Sequence, residues 1–327
     1  MRLAGAVVSL LLLFSAAFFF VYWDVNRLIN PGKASYHLES GSGLSDFTSK
    51  LQSRGVIDRE WTLLLWAAVY RQTNDVKAGE FRFQDPTTLS AILDQLRRGD
   101  VVTYRVTLFE GSTTAQMRAS LKLAPALTRI LPTLEDKELR EIVGIKSSLS
   151  EGWFFPDTYF YTRGDTDVSI LKRAHKRMND MLKQAWANRR PGLLLKRPYE
   201  ALILASIVER EALRDAEKSI IAGVFIKRLG LGMRLQADPT VIYGLGDHFD
   251  GDLTRKDLES DTPYNSYTRA GLPPTPISSP GRVALNAATR PSQTKYLYFV
   301  ARGDGTHLFS ETYKQHQRAV GKFQSAN

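Results

Sequence analysis

The chain has 327 residues, of which 43% are hydrophobic and 24% are charged, and its formal net charge is +10. This composition is that of a folded protein with a sizeable core, and it excludes a disordered scaffold. The chain contains no cysteine, which excludes disulfides, thiol nucleophiles, iron–sulfur clusters and cysteine zinc sites. The basic charge fits an anionic partner such as nucleic acid, phospholipid head groups or an acidic cell-wall polymer, and it fits a solvated surface equally well.

The N-terminal segment has the pattern of a membrane span. Residues 3–23 carry no charge and end in an aromatic run over residues 18–23. This length matches a bilayer span of about 20 residues with an aromatic anchor at one interface. Small residues at positions 15–17 would also suit a signal-peptide cleavage site, but the apolar run continues beyond them. We therefore predict an uncleaved anchor with short flanks over residues 1–30, whose orientation the few flanking charges leave open.

The segment of residues 31–103 begins in a linker at residues 30–33 and then alternates short strands with helices. Asp58 and the Asp85-Pro86 pair are the expected helix starts. The patterns predict a strand at Tyr36–Leu38, helices near residues 44–54, 58–71 and 89–98, and a strand over residues 79–83. We interpret this segment as a small α+β module.

A faint internal repeat helps to place the end of this module. Gly41 and Gly111 each follow an extended stretch and each precede a serine and a helical pattern. Two unrelated strand-turn-helix units would explain the match equally well. We use it only to place a boundary near residue 103.

Residues 104–327 mix basic helices with aromatic loops and are interpreted as one larger α+β domain. Helical spacing predicts helices over residues 166–187 and 198–218. Residues 295–301 alternate like a strand, and Asp304-Gly305 predicts a hairpin turn with a return strand over residues 306–310. The expected fold class is therefore α+β, with an N-terminal transmembrane helix, a small module and a larger catalytic-size domain.

Several common chemistries are absent from the sequence. There is no Walker loop, no G-x-G-x-x-G, no H-E-x-x-H and no G-x-S-x-G. The five histidines lack metal-ligand spacing, so neither a metal nor another cofactor is expected. No helix combines the clustered basic and aromatic residues of a nucleic-acid module, so nucleic acid is not an expected partner.

The heptapeptide ASIVERE at residues 205–211 offers two carboxylates at the end of an apolar helical run. Residues two positions apart on a helix point about 200° apart, so Glu209 and Glu211 cannot share one helix face. Glu211 lies on the apolar stripe, where lost solvation raises a carboxyl pKa and suits a general acid. Alternatively, both glutamates lie on an exposed helix end and pair with Arg210 or Arg214.

Three clusters elsewhere combine aromatic rings with amides and carboxylates, at residues 151–159, 234–243 and 264–267. Such side chains suit the apolar faces and hydroxyl rims of sugar rings. A core role for the aromatic residues near position 153, and a turn at Asp238-Pro239, are the structural alternatives. With Glu209, the clusters provide the expected substrate-binding residues, which are Trp153, Asp157, Glu209, Gln236, Asp238, Tyr264, Asn265 and Tyr267.

Over nearly its whole length the chain resembles the MltG (YceG-like) family of endolytic murein transglycosylases. The most specific block is GMRLQADPTVIYG at residues 232–244. The other matching blocks are KAGEFRF at 77–83, EGWFFPD at 151–157, ASIVERE at 205–211, YNSY at 264–267, GLPP at 271–274 and YLYFV at 296–300.

The resemblance implies a LysM-like module in residues 31–103 and a transglycosylase domain in residues 104–327. It makes Glu211 the catalytic glutamate, although this chain has Ala212 where the family usually has a small hydroxyl residue. The implied reaction cleaves the β-1,4 bond between N-acetylmuramic acid and N-acetylglucosamine without water, and it leaves 1,6-anhydro ends. One carboxyl group suffices if the substrate's N-acetyl group stabilises the charge at C1.

The implied setting is a single-pass protein of the cell inner membrane with a periplasmic catalytic domain. Its partners would be nascent peptidoglycan strands and the peptidoglycan synthases that make them. The alternative from a different class is a non-catalytic, membrane-anchored scaffold that binds peptidoglycan and in which Glu211 is only structural.

Overall fold

The computed structural model describes residues 2–39, 41–73 and 75–323. Its mixed helix and strand content confirms the α+β class. The chain divides into two compact units, one of residues 1–104, 126–128 and 160–165, and one of the remaining residues. Within the described residues, the strands form three two-stranded sheets.

The first unit builds a small core from short elements. Its elements are α1 (Arg2–Asn26), β1 (Tyr36–Leu38), α2 (Leu44–Ser53), α3 (Glu60–Val69), β2 (Gly79–Phe81) and α4 (Leu89–Arg98). Strands β1 and β2 are antiparallel, with Tyr36 opposite Phe81. Tyr36, Phe47 and Phe83 pack ring against ring at centroid distances of 5.4–6.2 Å, and these aromatic contacts form the centre of the core.

Helix α1 is apolar and mostly exposed. Its stretch Ala4–Asn26 is long and apolar enough to cross a membrane, which agrees with the predicted N-terminal span. The last turns of α1 are partly buried, because Val21 and Val25 lie in the core of the first unit. The end of the apolar helix is therefore part of the folded unit.

Two predicted helix starts in this unit are wrong. Helix α3 begins at Glu60, with Arg59 as its N-cap residue. Asp58 does not cap it, because its carboxylate accepts a hydrogen bond from Arg27 at 2.7 Å. Helix α4 is capped by Thr88, whose hydroxyl accepts from the N–H of Ala91 at 3.2 Å. The Asp85-Pro86 pair cannot start the helix, because residue 87 still pairs in extended form with residue 29.

The second unit is largely helical around one buried helix. It contains α5 (Thr114–Leu123), α6 (Asp136–Val143), α7 (Asp167–Ala187), α8 (Pro198–Glu211), α9 (Asp215–Gly230), α10 (Asp238–Leu245), α11 (Arg255–Glu259), α12 (Arg282–Thr289), β5 (Tyr298–Ala301), β6 (His307–Ser310) and α13 (Tyr313–Phe323). Strands β3 (Thr103–Leu108) and β4 (Asp157–Thr162) form the remaining sheet. Every residue of α8 from position 201 to 208 is buried, which places this helix in the centre of the core.

The proposed repeat has structural counterparts at both places. A strand, a glycine with positive φ and a helix follow one another at β1–α2 and at β3–α5. The residues six positions after the two glycines, Phe47 and Met117, and those ten positions after them, Leu51 and Leu121, are all buried. This similarity of form does not decide between a repeat and two unrelated units.

The predicted single helix over residues 198–218 is wrong. Helix α8 ends at Glu211, and Ala212 adopts an extended backbone with φ −101° and ψ 115°. Helix α9 then begins with Asp215 and Glu217 in its first turn, where the helix dipole favours negative charge. The break leaves Glu211 at the C-terminal end of a buried helix.

The predicted hairpin at Asp304-Gly305 is confirmed. Strands β5 and β6 are antiparallel, with Tyr298 opposite Ser310 and Ala301 opposite His307. The first strand begins at Tyr298, three residues later than expected.

Candidate active site

A cavity of about 470 Å³ lies in the second unit beside the C-terminal end of α8. Helices α9 and α13, the turn before α10, the loop that carries Tyr267 and the hairpin β5–β6 contribute further walls. Its polar and aromatic lining includes Glu211, Arg228, Gln236, Asp238, Tyr267, Tyr298, His307, Tyr313 and His316. Four of the residues expected from the sequence therefore meet at one cavity.

Glu211 is a partly buried carboxyl group at this cavity. Burial, with a contribution from the negative charge of Asp238, raises its pKa to about 8, and Arg228 opposes the shift. No side chain in the described part of the chain donates a hydrogen bond to this carboxyl group, so only the charge of Arg228 favours its ionised form. At neutral pH it is mostly protonated, which is the state a general acid needs.

Asp238 and Tyr267 form a hydrogen-bonded pair on the same cavity. The hydroxyl of Tyr267 donates to Oδ1 of Asp238 at 2.5 Å. Asp238 is also the first residue of α10, where the helix dipole favours a negative charge. Burial, together with this hydrogen bond, raises the pKa of Tyr267, so its phenol stays a neutral donor.

Gln236 lines the cavity from a strained backbone position. Its φ of +50° lies in the left-handed region, which costs a residue other than glycine about 1–2 kcal/mol. The Gln236 N–H donates to the carbonyl oxygen of Ser266 at 3.1 Å, and the Ala237 N–H donates to the Ser266 hydroxyl at 2.9 Å. These bonds hold the segment before α10 against the loop that carries Tyr267.

Asn265 is fully buried and supports this loop without lining the cavity. Its amide donates to the carbonyl oxygens of Asp257, Leu258 and Ser260 at 3.3, 3.0 and 2.6 Å. Its side-chain oxygen accepts from the N–H of Tyr267 at 2.8 Å. The geometry gives Asn265 a positioning role for Tyr267.

Glu209 lies outside the cavity in a buried ion-pair network. Lys218 donates to it at 2.6 Å, and the N–H of Gly281 donates to its other oxygen at 2.9 Å. The expected arginine partners point elsewhere, because Arg210 contacts the carbonyl oxygen of Gly111 and Arg214 that of Asp304. Glu209 is therefore held by a lysine from α9, on a different side of α8 from the cavity.

The structure does not bring Trp153, Asp157 and Tyr264 to the cavity. The ring of Trp153 stacks on Tyr199 with centroids 5.7 Å apart and planes 8° apart. Asp157 forms an ion pair with Arg177 at 2.8 Å. Tyr264 packs edge to face on Tyr243, and its hydroxyl hydrogen-bonds that of Thr275. Each has structural contacts that account for its position.

Arg228 and His307 line the cavity but were not among the expected residues. Arg228 is buried, and it donates to the carbonyl oxygens of Leu297 at 2.7 Å and Leu235 at 2.6 Å. His307 Nδ1 lies 2.7 Å from a carboxylate oxygen of Glu217. An arginine late in a largely apolar helix was the available signal for Arg228. Nothing local marked His307, because the fold alone brings it to this wall.

The described residues include no group of three or more histidine, aspartate or glutamate side chains placed to hold a metal ion. The groups at the cavity that can donate or accept a proton include Glu211, Asp238, the tyrosines and the histidines of its lining.

Comparison with known proteins defines the family. A profile of the YceG-like family matches residues 36–322. The chain belongs to the YceG-like family. This finding confirms the resemblance drawn from the sequence blocks. The match includes most residues of both compact units and all polar lining residues of the cavity, and it begins after α1.

Named relatives of this YceG-like chain include enzymes from two bacteria. The endolytic murein transglycosylase of Bacillus subtilis (strain 168) is 32% identical over 89% of this chain and 84% of that protein. The endolytic murein transglycosylase of Streptococcus pneumoniae (strain D39) is 25% identical over 87% of this chain, which spans 57% of that longer relative. A crystal structure of a YceG-like protein from Listeria monocytogenes matches with a TM-score of 0.53 and 28% identity, and it covers 88% of this chain and 99% of that chain.

Proposed function

We propose that this protein is an endolytic murein transglycosylase. It would cleave the β-1,4 bond between N-acetylmuramic acid and N-acetylglucosamine within nascent glycan strands and thereby end their elongation. Family membership and the names of the relatives support the reaction class. The observation that carries the proposal is a mostly protonated Glu211 at the wall of a polar and aromatic cavity.

In the proposed reaction Glu211 acts first as an acid and then as a base. Its proton passes to the bridging oxygen as the bond from that oxygen to C1 of the muramyl sugar breaks. The resulting carboxylate then takes the proton of the C6 hydroxyl, whose oxygen attacks C1 and closes the 1,6-anhydro ring. The proton lost in the first step is regained in the second, and no water is consumed.

Asp238 supports both steps through its charge. The charge raises the pKa of Glu211, which keeps the acid protonated before cleavage. The same negative charge at the cavity would favour the positive charge that develops at C1, together with the substrate's own N-acetyl group. Tyr267 holds Asp238 in place through their 2.5 Å hydrogen bond.

The proposal includes the cellular setting that the sequence predicts. Helix α1 would anchor the protein in the inner membrane as a single span, with the catalytic domain in the periplasm near the peptidoglycan synthases. Residues 31–103 would form the LysM-like module, an assignment that rests on the family resemblance. Confinement at the membrane would raise the effective concentration of enzyme at nascent strands.

The test is digestion of purified, uncrosslinked glycan strands by the full chain in nanodiscs, with mass spectrometry of the products. Wild type should release anhydro-muramyl ends, and Glu211→Gln should lower the rate by roughly 10²–10⁴-fold, as expected for loss of an acid–base group. Glu200→Gln is the matched control, because Glu200 lies on the same helix at its other end.

Each contrary result has a distinct meaning. Equal rates for wild type and Glu211→Gln would remove Glu211 from the chemistry. Reducing ends in place of anhydro ends would make the enzyme a hydrolase. Tight glycan binding by wild type without any product would favour the non-catalytic scaffold.

A further inference from the structure

The outward face of α3 is apolar where a water-facing helix would be polar. Trp61, Leu65 and Val69 follow one another at intervals of four residues and are 48%, 47% and 60% exposed. The opposite face, with Leu63 and Ala67, is fully buried in the core of the first unit. A helix that is apolar on all sides is normally buried on all sides, so the outward face of α3 needs a covering medium.

This face continues the exposed surface of α1. Trp61 stacks on Phe20 with ring centroids 6.2 Å apart. Phe14 of α1 joins Leu65 and Val69 of α3 along a shared groove of about 310 Å³. The two helices thus present one continuous apolar surface.

The length of α1 indicates what covers this surface. The uncharged stretch from residue 3 to residue 23 has 21 residues and ends just before Asp24. A bilayer core of about 30 Å needs about 20 helical residues. If the part beside α3, from about residue 18 onward, lay in water, the remaining 15 or so residues would span only about 22 Å. The turns of α1 that touch α3 are therefore needed inside the membrane.

We propose that α3 is an interfacial membrane helix. Its Trp61–Leu65–Val69 face lies at the boundary of head groups and acyl chains in the leaflet on the module side, packed against α1. Charged residues stand at both ends of the apolar stretch, with Arg59 and Glu60 before it and Arg71 after it, where their side chains reach the head groups. The inference rests on the proposed membrane anchor and extends it from one helix to two.

The chain contains no cysteine, so single-cysteine spin labels test this directly in the full-length protein. Leu65→Cys places the label on the proposed face. Phe19→Cys, at a 70% exposed position of α1, reports the span. Asp94→Cys, on the charged surface of α4 in the same unit, is the aqueous control. Collision rates with oxygen and with a water-soluble nickel chelate are measured in phosphatidylglycerol–phosphatidylethanolamine vesicles.

The label at position 65 should resemble the label at position 19, with several-fold more oxygen collisions relative to nickel collisions than at position 94. If position 65 resembles position 94 while position 19 is in lipid, the inference is overturned and the anchor stands. If position 19 is aqueous, the anchor itself fails. If labels at position 65 broaden one another until unlabelled protein is added, a second copy covers α3, which also overturns the inference.

Discussion

Replacing Glu211 by glutamine should stabilise the protein at alkaline pH. The folded protein holds this carboxyl at a pKa of about 8, against an ordinary value of 4.5, because burial and the charge of Asp238 disfavour its ionised form. Below pH 4.5 the group is protonated in both the folded and unfolded states and contributes no difference. As pH rises towards 8, the unfolded chain ionises first, so wild type loses about 1.4 kcal/mol of stability per pH unit.

Above pH 8 the ionisation of Glu211 lowers the free energy of unfolding of wild type by about 3–5 kcal/mol in total. The lower figure allows for the partial exposure of the side chain. Glutamine does not titrate, so the variant escapes this loss. For a protein of this size the gain corresponds to a rise in Tm on the order of 10 °C. Burial also raises the pKa of Glu151 to about 7, but that group is present in both proteins and cancels in the comparison.

The assay is thermal unfolding of wild type and Glu211→Gln from pH 4 to pH 9. Glu200→Gln provides a control of opposite sign, because burial of Glu200 is outweighed by hydrogen bonds from Lys196 and Arg197, which lower its pKa. Wild type should therefore be the more stable partner in that pair at neutral pH, and the difference should vanish as pH falls. A stability difference between wild type and Glu211→Gln that stays constant across pH 5–9 would refute the inference that the folded protein holds Glu211 protonated at neutral pH.

Three further predictions concern Asp238 at the cavity and positions 218 and 223 of α9. Asp238→Asn removes the charge that raises the pKa of Glu211, so the alkaline fall in cleavage rate should move to lower pH and the maximal rate should drop on the order of 10²-fold. Lys218→Ala leaves the buried carboxylate of Glu209 unpaired, which should cost about 3–5 kcal/mol in denaturant unfolding, and Glu209→Gln in the same chain should recover part of it. Gly223→Ala places a Cβ 2.3 Å from a backbone carbonyl oxygen packed on α9, so its Tm should fall although alanine favours helices.

Periodic patterns predicted the elements whose environment is set locally. The apolar run predicted α1, and the alternation before Asp304-Gly305 predicted the hairpin β5–β6. Helical spacing alone also separated Glu209 from Glu211, and the two side chains do lie on different sides of α8. In each case the signal lies within a few turns or strand residues, which is the range over which sequence periodicity acts.

Features that depend on distant segments were missed. The break after Glu211 lies within a helical pattern, and the left-handed Gln236 is fixed by its hydrogen bond to Ser266. Aromatic and polar clusters have the same composition in a core as in a cleft, so Trp153 and Tyr264 could not be separated from Tyr267 by sequence. Only the arrangement of the fold decides which of them face the cavity.

The two glutamates of α8 show how one helix end can hold two carboxyl groups in different surroundings. The side chain of Glu209 is 6% exposed, and it accepts hydrogen bonds from Lys218 and from the backbone N–H of Gly281. Glu211 is also partly buried, and burial together with the charge of Asp238 raises its pKa, while none of the described side chains donates a hydrogen bond to it. Burial alone therefore does not distinguish them, and the partners supplied by α9 and α10 do. The break at Ala212 makes this possible, since a continuous helix would carry Lys218 along the axis of α8 instead of turning it back towards Glu209.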